Sequence, residues 1–156
     1  MAMGRLEVGD RAPDFTMTAD DGGVVSRDGL LGRRYVLYFY PKDDTPGCTT
    51  QACSLRDSWS DVANTGIEVF GVSPDSVKSH VRFRDKYALP YRLLSDAGHA
   101  TAEAFGVWIE KHRYGRTYFG NERTTFVVDE DGRIAAVLPQ VKPAEHTDQL
   151  LEALAA

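Results

Sequence analysis

The only two cysteines of this chain, Cys48 and Cys53, fall in one stretch, Tyr35-Val-Leu-Tyr-Phe-Tyr-Pro-Lys-Asp-Asp-Thr-Pro-Gly-Cys-Thr-Thr-Gln-Ala-Cys53. A thiol does chemistry as its thiolate, which attacks electrophiles, oxidises to sulfenic acid or closes a disulfide. Cys48 stands where a helical pattern begins, after the turn-forming run Lys42-Asp-Asp-Thr-Pro-Gly47. The first turn of a helix has unpaired N–H groups and the positive end of the macrodipole. Both favour a thiolate over an ordinary thiol, whose pKa is about 8.5. Asp43 and Asp44 act against it, so a reactive Cys48 requires a cation from elsewhere in the chain.

The spacing of the two thiols carries its own message. On a helix over Cys48–Ala63, at about 100° per residue, Cys48, Ala52, Leu55, Trp59 and Val62 form one core-facing stripe. Cys53 lies about 140° round from Cys48 and about 7.5 Å further along the axis. Their Cα atoms are then roughly 9 Å apart, whereas a disulfide needs less than about 7 Å. If the two thiols pair, the first turns of the helix must unwind.

The elements that position this stretch follow from pattern. Tyr35–Tyr40 is short, branched or aromatic and apolar on both faces, which predicts a strand buried inside an α/β sheet. Before it, Ala12–Ser26 alternates about Asp-Gly-Gly and reads as an N-terminal hairpin. After it come a strand at Ile67–Ser73, a helix opened by Ser73-Pro74-Asp75 and running to Tyr87, and a strand within Leu89–Asp96. A short helix at Ala100–Phe105, a hairpin of Thr124–Val128 and Arg133–Leu138 turning at Asp129-Glu-Asp-Gly132, and a helix over Pro143–Ala155 complete the order. Alternating strands and helices predict an α/β fold, a mixed central sheet flanked by helices, in one domain over residues 1–156.

Pro41-Lys-Asp-Asp-Thr45-Pro-Gly-Cys48 resembles the Pro-x-x-x-Thr-x-x-Cys loop of peroxiredoxins. The continuation Thr-Pro-Gly-Cys-Thr-x-x-Ala-Cys is similar to the bacterioferritin-comigratory-protein/PrxQ subgroup, as are Lys111-His-Arg-Tyr-Gly-Arg-x-Tyr118 and Glu122-Arg-Thr-Thr-Phe-Val-Val-Asp-Glu-Asp-Gly-Arg133. The resemblance implies a thioredoxin-like fold and a thiol peroxidase that reduces hydrogen peroxide and small organic hydroperoxides. It implies Cys48 as the nucleophile and Cys53 as the thiol that resolves its sulfenic acid into a disulfide. Thr45 would contact sulfur and peroxide, and Arg123 would be the missing cation. Pro41 would shield the sulfur, and the N–H groups of Gly47 and Cys48 would serve as further donors. No cofactor is implied, because cysteine supplies both electrons. The implied reductant is thioredoxin or a similar dithiol. The subgroup suggests a monomer, with a weak dimer as the alternative.

Composition bounds the rest. A net charge of −5 and a pI near 5.3 argue against nucleic acid or an anionic membrane as partner. No apolar run approaches the roughly 20 residues of a membrane span, and Met1–Asp10 lacks the apolar core of a signal peptide, so a cytoplasmic protein is expected. His80, His99, His112 and His146 show no zinc-ligand spacing and are read as surface or cap residues. Gln51 and Arg56 are candidates for supporting contacts. A thioredoxin-type dithiol oxidoreductase would want Cys-x-x-Cys, and a cysteine phosphatase would want arginine where the chain has Ser54. A thiol redox sensor shares the Cys48 chemistry and differs from a peroxidase in lacking turnover.

Overall fold

The computed structural model describes residues 6–155; residues 1–5, part of the stretch read for a leader, lie outside the described residues. The apolar run becomes β3 (Tyr35–Phe39), buried at every position. β3 is an inner strand of a seven-stranded sheet of order β2-β1-β5-β4-β3-β8-β9. The hairpin at the amino end is β1 (Thr16–Ala19) and β2 (Val24–Ser26). β4 (Glu68–Ser73) and β5 (Arg92–Ser95) run parallel to β3 and to each other, while β8 (Thr125–Val128) pairs antiparallel with β3 and β9 (Ile134–Leu138) antiparallel with β8. The sheet is therefore mixed, as alternating elements followed by a final hairpin predict.

Successive side chains of a strand point to opposite faces, so β3 seeds two cores. Leu37 and Phe39 pack with Phe15, Phe70, Phe105 and Phe126 on one face. Val36, Tyr38 and Tyr40 pack on the other with Cys48, Leu55, Phe83 and Leu150. Helices α1 (Pro46–Asp57), α2 (Trp59–Ala63), α3 (Val77–Tyr87) and α5 (His146–Ala155) contribute to this second core, and α4 (Ala100–Ala104) contributes to the first.

Several boundaries differ from the sequence reading. The helix expected over Cys48–Ala63 starts earlier, because Pro46 has its φ preset for the first helical position, and it breaks at Ser58. Ser58 leaves the helical conformation at φ −105° and ψ 19°, and beyond the break Trp59 packs on Tyr91, ring centroids 5.5 Å apart. The next helix does not take Pro74 into its first turn. Ser76 caps it instead, accepting from Ser79 N at 3.1 Å, while Asp75 accepts from Ser73 Oγ at 2.6 Å. The last helix begins at His146 rather than Pro143. A hairpin that the pattern did not reveal, β6 (Trp108–Arg113) and β7 (Arg116–Asn121), forms a separate two-stranded sheet. Its tip, Tyr114-Gly115, has φ values of 51° and 73°, the mirror-image turn that suits a twisted hairpin.

Two histidines overturn the surface reading. His80 and His146 are both fully buried, each with a ring nitrogen in a polar contact, to Asp43 and to Thr125 respectively.

Candidate active site

The loop between β3 and α1 is closed by its own polar groups. Thr45 holds the N-cap position in extended backbone, and its carbonyl accepts Thr49 N–H at 2.8 Å. Its hydroxyl donates to Lys42 O at 2.9 Å, the bond expected of a turn residue. Pro46, Gly47 and Cys48 are the first three residues of α1, so Cys48 stands in the first turn with its sulfur almost wholly buried. Pro41 lies two residues beyond the end of β3 and is half-buried. Asn121 Nδ2 donates to Tyr40 O at 3.1 Å and ties the end of β3 to β7.

Both loop carboxylates are held by partners of their own. Asp43 is buried and accepts from Tyr40 Oη at 2.5 Å and Ser79 Oγ at 2.8 Å, with His80 Nδ1 2.7 Å away. Asp44 takes the left-handed conformation at φ 57° and is pinned to α3 by Lys86 Nζ at 2.8 Å and Tyr87 Oη at 2.7 Å. Those two bonds, that from Lys86 first, hold the Asp44 carboxyl below the usual carboxylate range. Each carboxylate of the acidic pair that stood against a thiolate in the sequence is therefore engaged by partners of its own, Asp44 by the cation of Lys86.

Arg123, two residues before β8, supplies the cation. Its Nη1 and Nη2 each donate to Cys48 Sγ at 3.4 Å, and Nη1 also donates to Gln51 Oε1 at 2.5 Å. The backbone of this segment is fixed by Val141 N–H, which donates to Arg123 O at 2.8 Å. Gln51 is fully buried one turn after Cys48, so the helix that carries the sulfur also carries the group that orients the guanidinium. Gly47 matters for the same reason. A Cβ there would stand 3.2 Å from Arg123 Nη2 and 3.5 Å from Pro143 Cγ.

Two further groups face this corner. Lys111 on β6 is half-buried and donates to Asn121 O at 2.5 Å. Burial and then Arg123 push its pKa down, and Cys48 acts in the opposite sense. His146 packs its ring on Tyr38, centroids 5.5 Å apart; burial and then Arg123 lower its pKa from 6.5 to about 4, so it is neutral at physiological pH. The sequence reading gave neither residue a role. The turn at Tyr114-Gly115 was the available signal for the hairpin that delivers Lys111, whereas nothing local marks His146.

Cys53 is half-buried and, like Cys48, a free thiol on an intact helix. Arg56 is turned away from Cys48: it donates to Tyr87 O at 2.8 Å and pairs with Asp57. The structure thus brings Cys48, Arg123, Gln51 and Gly47 together, keeps Thr45 and Pro41 in the adjoining loop, and leaves Cys53 on the far side of the helix. Among the described residues, no group of three or more His, Cys, Asp or Glu side chains is placed to hold a metal ion, and no helix is long and apolar enough to cross a membrane.

The family model for the AhpC/TSA family matches residues 8–137. A putative peroxiredoxin bcp of Coxiella burnetii is 50% identical over 146 residues, 94% of this chain and 97% of that protein. Peroxiredoxin Bcp of Bacillus subtilis is 44% identical over 96% of this chain and 95% of its own length. Among solved structures, a cysteine-to-serine variant of PrxQ from Xylella fastidiosa superposes with a TM-score of 0.90 at 30% identity, covering 98% of each chain. The bacterioferritin comigratory protein of Xanthomonas campestris, described for its alkyl peroxide reduction activity, gives 0.86 at 36% identity over 96% of each chain. These neighbours share the thioredoxin-like fold.

Proposed function

We propose, for a chain that belongs to the AhpC/TSA family and is a thiol-dependent peroxidase of the peroxiredoxin type, that Cys48 is the nucleophile, Arg123 its activating cation and Cys53 the resolving thiol. The observation that carries the reading is the pair of guanidinium N–H groups on Cys48 Sγ, which suits a thiolate far better than a thiol. The Cys48 thiolate attacks one oxygen of a hydroperoxide. An S–O bond forms, the O–O bond breaks, and the leaving oxygen departs as alkoxide or hydroxide and takes up a proton. Arg123 and the Gly47 and Cys48 N–H groups stabilise the charge that develops on that oxygen. Thr45 Oγ1 gives its proton to Lys42 O, so it offers lone pairs to a peroxide O–H. Pro41 screens the sulfur from solvent.

The sulfenic acid on Cys48 is then attacked by Cys53. The S–S bond forms, the S–O bond breaks, and the departing hydroxide leaves as water with the proton of the Cys53 thiol. The substrates are hydrogen peroxide and small organic hydroperoxides. An external dithiol, thioredoxin or a similar protein, returns the disulfide to two thiols. The reading is of a single-domain cytoplasmic monomer. Cys48→Ser tests it: peroxide consumption with a dithiol reductant should vanish, and retained turnover would overturn the assignment. Cys53→Ser should reduce one equivalent of peroxide and then recycle poorly with thioredoxin.

A further inference from the structure

Beneath α1, beside the two thiols, lies a buried row of hydroxyls that the reaction does not consume. Tyr91 Oη donates to Ala52 O at 3.1 Å and lies 2.9 Å from Tyr38 Oη. A phenol has one proton. That of Tyr91 is committed to Ala52, so Tyr38 is the donor to Tyr91 and the row runs in one direction, from Tyr38 through Tyr91 to the Ala52 carbonyl. Both rings are buried and meet edge to face at 5.8 Å. Burial pushes both phenols well above their ordinary range, so both keep their protons throughout the neutral range.

The row needs room, and Gly71 supplies it. Tyr38 and Gly71 are partners in the parallel β3–β4 register. A Cβ on Gly71 would stand 2.9 Å from Tyr38 Cζ and Oη, closer than real Cβ atoms come. Glycine is what lets the Tyr38 ring lie across β4 towards Tyr91. On the other side Trp59 packs against Tyr91.

Ala52 is the residue before Cys53 and belongs to the stripe that Cys48 begins. Closing a Cys48–Cys53 disulfide requires the Cα atoms to come from roughly 9 Å to under about 7 Å. The peptides between the thiols must leave their helical positions, and the Ala52 carbonyl belongs to the last of them. The Tyr91 bond is made only while α1 is intact. We infer that Tyr91, aligned by Tyr38 over Gly71, is a positioning residue that latches the Ala52 carbonyl and sets how readily α1 opens to bring Cys53 onto Cys48. The inference rests on the reading of Cys53 as the resolving thiol. Its consequence is a partition. While the latch holds, the sulfenic acid meets a second peroxide, whose terminal oxygen it takes as the O–O bond breaks, giving sulfinic acid and water or alcohol. Once the latch opens, Cys53 displaces water and the disulfide forms.

The test compares the reduced full-length protein with Tyr91→Phe. Each is mixed with graded hydrogen peroxide, quenched, and assayed by mass for Cys48–Cys53 disulfide and Cys48 sulfinic acid. The variant removes both bonds of the row, and loss of the one to Ala52 should speed disulfide formation by roughly three- to tenfold and raise the peroxide concentration giving half-maximal sulfinic acid by a similar factor. A merely structural role would lower thermal stability without raising that threshold. An unchanged or lowered threshold overturns the latch. Should Tyr91→Phe fail to fold, Tyr38→Phe, which removes the donor to Tyr91, should raise the threshold by a smaller factor, and no rise would overturn the inference equally. If the unmodified protein forms no disulfide with peroxide, the resolving-thiol reading fails and the latch with it. If it forms one and the variants match it, the latch alone fails.

Discussion

Arg123 Nη1 donates to Gln51 Oε1 at 2.5 Å, so the guanidinium that faces Cys48 is held by the helix that carries Cys48. Cys48 and the guanidinium proposed to activate it are thereby held against each other across 75 positions of sequence. A guanidinium held in this way makes its two N–H groups available in a constant geometry and does not reorganise during attack.

Arg123→Ala removes both donors to the sulfur. Peroxide reduction should slow by about 10²- to 10³-fold, and alkylation of Cys48 at neutral pH by about tenfold. Gln51→Ala keeps the charge but frees its position, and should cost about fivefold in peroxide reduction. Stopped-flow peroxide consumption and a timed iodoacetamide reaction measure the two quantities. An unchanged alkylation rate in Arg123→Ala would remove the residue from the site.

Gly47→Ala separates activity from stability. The new methyl carbon would meet Arg123 Nη2 at 3.2 Å, at the free end of a flexible side chain, while alanine is favoured over glycine in a helix. Peroxide reduction should fall by roughly tenfold with Tm unchanged or higher. Paired activity and calorimetric measurements check this, and an active variant would show that the guanidinium need not lie against Gly47.

His146 predicts an acid limb of stability. Its pKa is about 4 in the folded chain against 6.5 for the free side chain, so the unfolded chain binds the proton first as pH falls. The stabilisation is present in full above pH 6.5 and is lost progressively between 6.5 and 4, amounting to about 3 kcal/mol. Denaturant titrations from pH 7 to 4 should show this loss. His146→Gln should have a flatter profile over the same range.

The strand, loop and helix around the thiols were legible because they are local: an apolar run, turn residues, and then a helical stripe in which Cys48, Ala52, Leu55 and Val62 are all buried. The mixed sheet followed from element order. Arg123 emerged only through resemblance, since a lone arginine before a strand carries no signal of where it points. The partners of Asp43 were hidden for a related reason. His80 lies 37 positions away, and its burial beside a carboxylate is a tertiary fact that scattered histidines do not announce. The β6–β7 hairpin was missed because neither Trp-Ile-Glu-Lys-His-Arg nor Arg-Thr-Tyr-Phe-Gly-Asn alternates apolar with polar residues, while its turn dipeptide was the one readable feature. Gln51 shows the limit of the helical stripe: a polar residue beside the stripe is fully buried because Arg123 comes to meet it.

In the proposed cycle Cys48 is oxidised first and Cys53 then reaches it by opening α1. Intact mass of the reduced protein after one equivalent of hydrogen peroxide, followed by peptide mapping, tests it most directly. The expected result is the loss of two hydrogens and a linked peptide joining Cys48 to Cys53. A single oxygen retained on Cys48 with Cys53 still free, or no change in mass at all, would contradict it.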